Sequence, residues 1–163
     1  MTVPAVHERL EQLAFLLGEW HGLGVGGYPD VPEFRYEQEL SFTHDGRPFL
    51  AYTSQSWLLD DDGARLRPSG TERGFWRPGA APRDVEVLLA HPTGIVEVYV
   101  GEVVFNKIEL ASDVVARTST AKAVTALTRL YGLVEGDLAY AIDMAAVEQP
   151  LQSHLSARLR RTG

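Results

Sequence analysis

Between residues 34 and 42 the chain alternates without a fault: Phe34, Tyr36, Gln38, Leu40 and Phe42 share one parity, and Arg35, Glu37, Glu39 and Ser41 share the other. Successive side chains of a strand point to opposite faces, so this is a half-buried antiparallel strand. The period of two persists to the end of the chain, and it is punctuated by His44-Asp45-Gly46, Asp60-Asp61-Asp62-Gly63, Arg77-Pro78-Gly79, His91-Pro92-Thr93-Gly94 and Glu135-Gly136-Asp137. In each of these a glycine can take the positive φ that a tight turn demands. Strands are expected over residues 19–28, 34–42, 49–59, 65–76, 85–90, 95–105, 107–110, 114–118, 126–134, 138–147 and 154–161, with Pro68 and Gly70 interrupting the fourth. Gln149-Pro150 separates the last two, because proline supplies no ladder donor.

Consecutive hairpins favour an up-and-down meander, and closing the meander into a barrel removes its exposed edges. The expected fold is therefore all-β, an antiparallel up-and-down barrel of about ten strands, with the first strand beside the last. Before it, Leu10, Leu13, Ala14 and Leu17 recur at three- and four-residue spacing after Pro4, which suggests a helical lead-in that Gly18 stops. At 163 residues the chain fits one domain, 1–163, with no repeat and no linker.

Composition removes several function classes. There is no cysteine, hence no disulfide, thiolate nucleophile or thiolate-bound metal. A formal net charge of −7 and a pI near 5.2 repel phosphate backbones, and the cluster Arg158, Arg160 and Arg161 lacks interleaved aromatics, so no nucleic acid partner is expected. No apolar run approaches the roughly 18 residues of a membrane span. Glu8, Arg9 and Glu11 interrupt what a signal peptide would keep apolar, so a cytoplasmic location is the default.

Five histidines, at 7, 21, 44, 91 and 154, are the side chains that combine neutral-pH titration with metal affinity. They show no zinc-type spacing. His44 and His91 fall in turn sequences and His7 in the lead-in, where surface roles are expected; His21 is left unassigned. His154 and Met144 lie ten residues apart across the Gln149-Pro150 break, which brings an imidazole and a thioether near the same space. His154 shares parity with Ser156, Arg158 and Arg160, while Leu155, Ala157 and Leu159 take the other face, so in a dry core it would point outward. In a ligand-holding barrel the inner face can be polar, and parity does not decide. No G-x-S-x-G elbow is present, and GLGVGG lacks the lysine and hydroxyl residue of a phosphate loop, so its glycines are read as packing and bending.

Gly18-Glu19-Trp20-His21-Gly22-Leu23-Gly24 matches the G-x-W-x-G-x-G signature of the nitrobindins. YPDVPEFRYEQELSF, GRPFLAYTSQSW, VLLAHPTGIVEVYVG, TAKAVTALTRLY and AVEQPLQSHLSARL resemble the corresponding segments of mycobacterial members in order and spacing, over nearly the whole chain. The resemblance implies a ten-stranded barrel related in shape to fatty-acid-binding proteins and lipocalins, holding one haem b per chain at one end. It implies His154 as axial iron ligand and the residue on which catalysis depends, Lys122 beside the haem propionates, and Met144 against the porphyrin. It further implies ferric haem that isomerises peroxynitrite to nitrate, ferrous haem that binds nitric oxide, and a possible homodimer. Gly18, Trp20, Gly22 and Gly24 carry the signature, with Trp20 expected to anchor the barrel base. The alternative is a haem-free carrier of a fatty acid or another apolar ligand, which would have no use for His154.

Overall fold

The computed structural model describes residues 2–163. Ten strands follow one another: β1 (Gly18–Tyr28), β2 (Val31–Thr43), β3 (Leu50–Leu59), β4 (Arg65–Pro78), β5 (Asp84–His91), β6 (Ile95–Val104), β7 (Lys107–Arg117), β8 (Val124–Val134), β9 (Asp137–Ala146) and β10 (Gln152–Arg161). Each pairs antiparallel with its neighbour in sequence, and β10 returns to β1, so the sheet closes on itself. The all-β meander expected from the alternation is the observed fold. In β2 the residues Tyr36, Gln38, Leu40 and Phe42 are buried, while Arg35 and Glu39 on the other parity are exposed.

One end of the barrel is sealed. The lead-in is a 3₁₀ helix, Glu8–Leu16, rather than an α-helix, and its three-residue turn stacks Leu10, Leu13 and Leu16 on one fully buried face; Leu17 is its cap and not part of that face. Burying each leucine contributes about 1.5–3 kcal/mol. Trp20, 1% exposed, donates its indole N–H to the Leu16 carbonyl at 2.8 Å, which ties the plug to β1. Arg161 covers the indole ring from outside at 4.2 Å and donates to the Phe15 and Leu17 carbonyls.

The other end is looser. β4 pairs with β5 only from Arg73 onward, and β7 pairs with β8 only from Lys107 to Ala111, so both ladders open toward the rim that carries His91, Ile95, Val124 and His154. Pro68 and Gly70 do not interrupt β4 as expected. Pro68 pairs with Trp57 on β3 beside a register shift, and on its other side β4 has no β5 partner there, so the missing donor leaves no ladder bond unmade. The two strands expected over 107–110 and 114–118 are likewise one, β7, which ends at Arg117, with the surplus residue absorbed where Val98 and Tyr99 face Val114 and Ser112. Phe105, expected in a strand, is instead a turn residue with φ 48°, followed by Asn106 with φ 60°. Among the described residues, no helix is long and apolar enough to cross a membrane.

Candidate functional site

The barrel encloses a cavity of about 250 Å³ reaching inward from the open rim. Its walls divide into two chemistries. Phe34, Val124, Leu127, Ile142, Met144 and Leu155 form an apolar part around His154, and Tyr36, Gln38, Tyr52, Ser54, Glu72, His91, Glu97, Arg129, Tyr131 and Tyr140 form a polar one, with His91 at the rim.

His154 reaches this cavity through a fault in the β9–β10 ladder. Ser153 pairs with Asp143 and Leu155 with Ile142, so His154 has no partner on β9 and is the extra residue of a bulge. A bulge re-aims the side chain it carries. That is why parity, which groups His154 with the outward residues of β10, does not settle its direction: His154 and Leu155 both line the cavity. Its Nδ1 lies 3.0 Å from the Gly27 carbonyl oxygen, an acceptor, so Nδ1 carries the proton and Nε2 keeps a free lone pair. Burial lowers the pKa, with Lys122 and Arg129 adding to it, which keeps the imidazole neutral at pH 7.

Tyr28 holds the neighbours of this imidazole in place. Its ring meets His154 edge-on at 5.7 Å, and Lys122 Nζ stands 5.4 Å over the same ring. Its hydroxyl donates to the Met144 carbonyl at 3.0 Å and accepts from the Ala146 N–H at 2.9 Å. Tyr28 therefore brings together His154, Met144 and Lys122, which sit on three different segments. Met144 is 5% exposed and lines the cavity, whereas Lys122 is exposed before β8. Alternation alone gave no reason to single out Tyr28.

The polar part is built on Arg129, whose side chain is 2% exposed. All five of its N–H groups are used. Nε donates to Tyr99 Oη at 3.0 Å; Nη1 donates to Glu72 Oε1 at 3.2 Å and Tyr131 Oη at 3.1 Å; Nη2 donates to Glu72 Oε2 at 2.6 Å and Glu97 Oε1 at 3.3 Å. Burial pushes the Glu72 carboxyl up, but the charge and hydrogen bonds of Arg129 outweigh it and hold the group at about 2. His91 Nε2 lies 3.0 Å from Glu97 Oε1 and 3.9 Å from Glu72 Oε2; burial works against its charge, and the two carboxylates raise its pKa regardless. The expected surface role for His91 is thus corrected: it closes β5 at the cavity wall and faces the buried Glu97 and the part-buried Glu72. Glu72, His91 and Glu97 bring possible metal ligands within 4.8 Å of one another, a grouping linear spacing did not reveal, and Arg129 already supplies the cation there. The signal for these residues was in the parity. Glu97 shares the face of Ile95 and Tyr99, and Arg129 that of Leu127 and Tyr131, while the intervening Val96 and Leu130 are exposed.

The signature glycines line the seam between β1 and its two neighbours. A Cβ on Gly22 would lie 2.2 Å from the Arg158 carbonyl oxygen, and one on Gly24 2.3 Å from Tyr36 Cζ, so both positions are filled by their neighbours. Gly18 has φ +126°, open to glycine and strained for other residues. These glycines and Trp20 lie in the sheet and at the sealed end, away from His154. His21, left unassigned, faces outward and pairs with Glu37 at 2.5 Å.

The site fits an iron porphyrin on the structure's own terms: a neutral imidazole with one nitrogen tied and the other free, on an apolar wall at an open rim, with a lysine nearby. The chain is similar to the peroxynitrite isomerase of Frankia casuarinae (55% identical over 163 residues, 96% of this chain and 87% of that protein). It is similar to the ferric nitrobindin-like protein of Thermobifida fusca (47% over 171 residues, 96% and 95%). The crystal structure of Rv2717c from M. tuberculosis superposes with a TM-score of 0.87 at 42% identity, covering 98% of this chain and 100% of that one. A family model described as THAP4-like, heme-binding beta-barrel domain matches residues 9–161, and the chain belongs to that family.

Proposed function

We propose that this chain binds one haem b through His154, isomerises peroxynitrite to nitrate in the ferric state and binds nitric oxide in the ferrous state. The observation that carries the reading is the bulged His154, with Nδ1–H held by the Gly27 carbonyl and Nε2 free. Nε2 would give its lone pair to the iron, and the hydrogen bond on the opposite nitrogen fixes the ring and strengthens it as a donor. Tyr28 limits the tilt of the imidazole from the side. Met144 offers a polarisable thioether to the face of the macrocycle, and Lys122 a cation to its carboxylates.

The bound group would supply a Lewis-acidic iron to polarise the substrate oxygen. Peroxynitrite and nitrate have the same atoms and the same charge, so the conversion needs no net proton or electron from the protein. What the chain must do is exclude water and competing reactants, which Phe34, Leu127, Ile142 and Leu155 do by walling the apolar part of the cavity. The lack of an acid–base pair beside His154 accords with that task. The carrier reading loses support at Arg129: a buried fatty-acid carboxylate needs donors, and all five N–H groups of this guanidinium are already used.

Stopped-flow peroxynitrite decay tests the proposal. The chain reconstituted with ferric haem is expected to accelerate decay in proportion to its concentration, with nitrate as product. Equal decay constants with and without haem would remove the catalytic claim.

A further inference from the structure

Four phenols face the cavity, and the direction of their hydrogen bonds separates them. Tyr140 donates to Gln38 Oε1 at 2.5 Å, so in its 2.7 Å contact with Tyr36 the donor is Tyr36. Both protons therefore rest on neutral oxygens. Tyr131 accepts from Arg129, whose adjacent positive charge makes the ring harder to oxidise. Tyr52 differs from all three: its hydroxyl donates to a carboxylate, Glu72 Oε1, at 2.8 Å. Among the described residues Tyr99 also donates to a carboxylate, Glu97, but its oxygen accepts from Arg129 Nε, and it does not line the cavity.

A phenol that loses an electron becomes a far stronger acid than any carboxylic acid, so it is oxidised most easily where a base already holds its proton. Glu72 is such a base, kept ionised by the guanidinium on its far side. The surrounding charge helps as well, since Glu72 and Glu97 outnumber Arg129 unless His91 is protonated. Tyr52 is also connected. Its ring lies 5.9 Å from Trp76, which lies 5.1 Å from Tyr131, which lies 5.6 Å from Tyr140. The Trp76 indole N–H is buried with no acceptor, so an electron vacancy there has no proton exit and passes on to a ring that has one.

We propose that Tyr52 is a redox-active tyrosine and nitration site, which reduces one-electron oxidants of the nitrogen dioxide class that enter the barrel. In the first step Tyr52 gives one electron to nitrogen dioxide and its hydroxyl proton to Glu72, yielding nitrite, a neutral phenoxyl and a protonated carboxyl. In the second, another nitrogen dioxide couples at the ring carbon beside the oxygen, and the displaced ring hydrogen restores the hydroxyl, leaving 3-nitrotyrosine. The proposal stands on the phenol–carboxylate geometry and not on the haem reading, and its test uses the haem-free full chain, so the two fail separately.

Nitrogen dioxide generated by pulse radiolysis of nitrite supplies the probe. Phenoxyl is followed by its absorbance and by electron paramagnetic resonance, and nitrated positions are mapped by mass spectrometry. Exposure alone would favour Tyr28 and Tyr140, each 6% exposed, over Tyr52 at 2%. The proposal instead expects nitration at Tyr52 to exceed that at Tyr36 or Tyr140 by about tenfold, the least that a hydrogen bond to a charged group distinguishes. Tyr52→Phe, which keeps the ring, should abolish most of the phenoxyl signal, and Tyr140→Phe should leave it intact. Phenoxyl formation should slow in D₂O for the wild type, an effect a merely structural residue would not produce, and Glu72→Gln should remove that isotope effect. Nitration spread evenly over the cavity tyrosines, or a phenoxyl yield unchanged in Tyr52→Phe, would overturn the proposal.

Discussion

Replacing Arg129 by methionine keeps most of the side chain's volume but takes the cation from two carboxylates, Glu97 buried and Glu72 largely so. Breaking a buried ion pair by removing one partner typically costs about 3–5 kcal/mol, because the remaining charge is uncompensated. The titration of Glu72 gives an independent figure. Its carboxyl sits at about 2 against an ordinary 4.5, which at 1.36 kcal/mol per unit is roughly 3 kcal/mol of stability at neutral pH. The sign follows from the direction: the folded pKa is depressed, so this contribution is full above pH 4.5 and is lost as pH falls toward 2. In Arg129→Met burial, the largest cause, raises the Glu72 pKa against only the smaller downward pull of His91 and the Tyr52 hydroxyl, so the variant instead gains relative stability as the medium becomes acid. Urea unfolding of the haem-free chain from pH 7 to pH 3 reads both effects. With a slope of about 2 kcal/mol per molar, the midpoint at pH 7 should fall by about 1.5–2.5 M, and the gap from wild type should narrow below pH 4.5. A loss under about 1 kcal/mol, or a gap independent of pH, would refute the electrostatic account of this network.

Further outcomes follow from the same geometry. For His91→Gln, the raised pKa of the native imidazole means its stabilisation is present below the unfolded value near 6.5 and lost as pH rises through the folded one, so the difference from wild type in urea should be largest under acid conditions and disappear at alkaline pH. Gly24→Ala puts a methyl group 2.3 Å from Tyr36 Cζ and 2.7 Å from the Ser156 carbonyl oxygen, and should cost about 1–3 kcal/mol in thermal unfolding with a changed near-ultraviolet dichroism. Tyr28→Phe keeps the ring against His154 but leaves the Ala146 N–H without its acceptor; a loss of about 1–3 kcal/mol is expected, together with faster haem release to apomyoglobin.

The parts of this molecule that obey period two were open to reading. The alternation of β2 gave its buried face residue by residue, and turns that use glycine, such as Gly63 at φ +84° and Gly94 at φ +93°, fell where the sequence marked them. Turns without glycine were less visible: Phe105-Asn106 and Val147-Glu148 take positive φ at side-chain-bearing residues, which no local pattern announces. The direction of His154 was illegible for a definite reason, since a bulge adds one residue to one strand and breaks the parity by which faces are counted. Its suggested role came from the resemblance. Glu97 and Arg129 were legible but passed over, because charges on the parity of Ile95, Tyr99 and Tyr131 mark either a polar interior or a misread face, and nothing local distinguishes the two. Their partners come from β4, β5, β6 and β8, so the pairing exists only once the sheet has curled.

The account turns on Nε2 of His154 meeting iron, and an equilibrium titration of the full chain with ferric haem, followed in the Soret region, tests it most directly. Wild type should give a one-to-one complex whose band survives desalting and whose resonance Raman spectrum carries an iron–imidazole stretch on reduction; His154→Ala should lose that stretch and release haem on the same column. A mutant that keeps an unchanged Soret band and the same stretch would contradict the assignment.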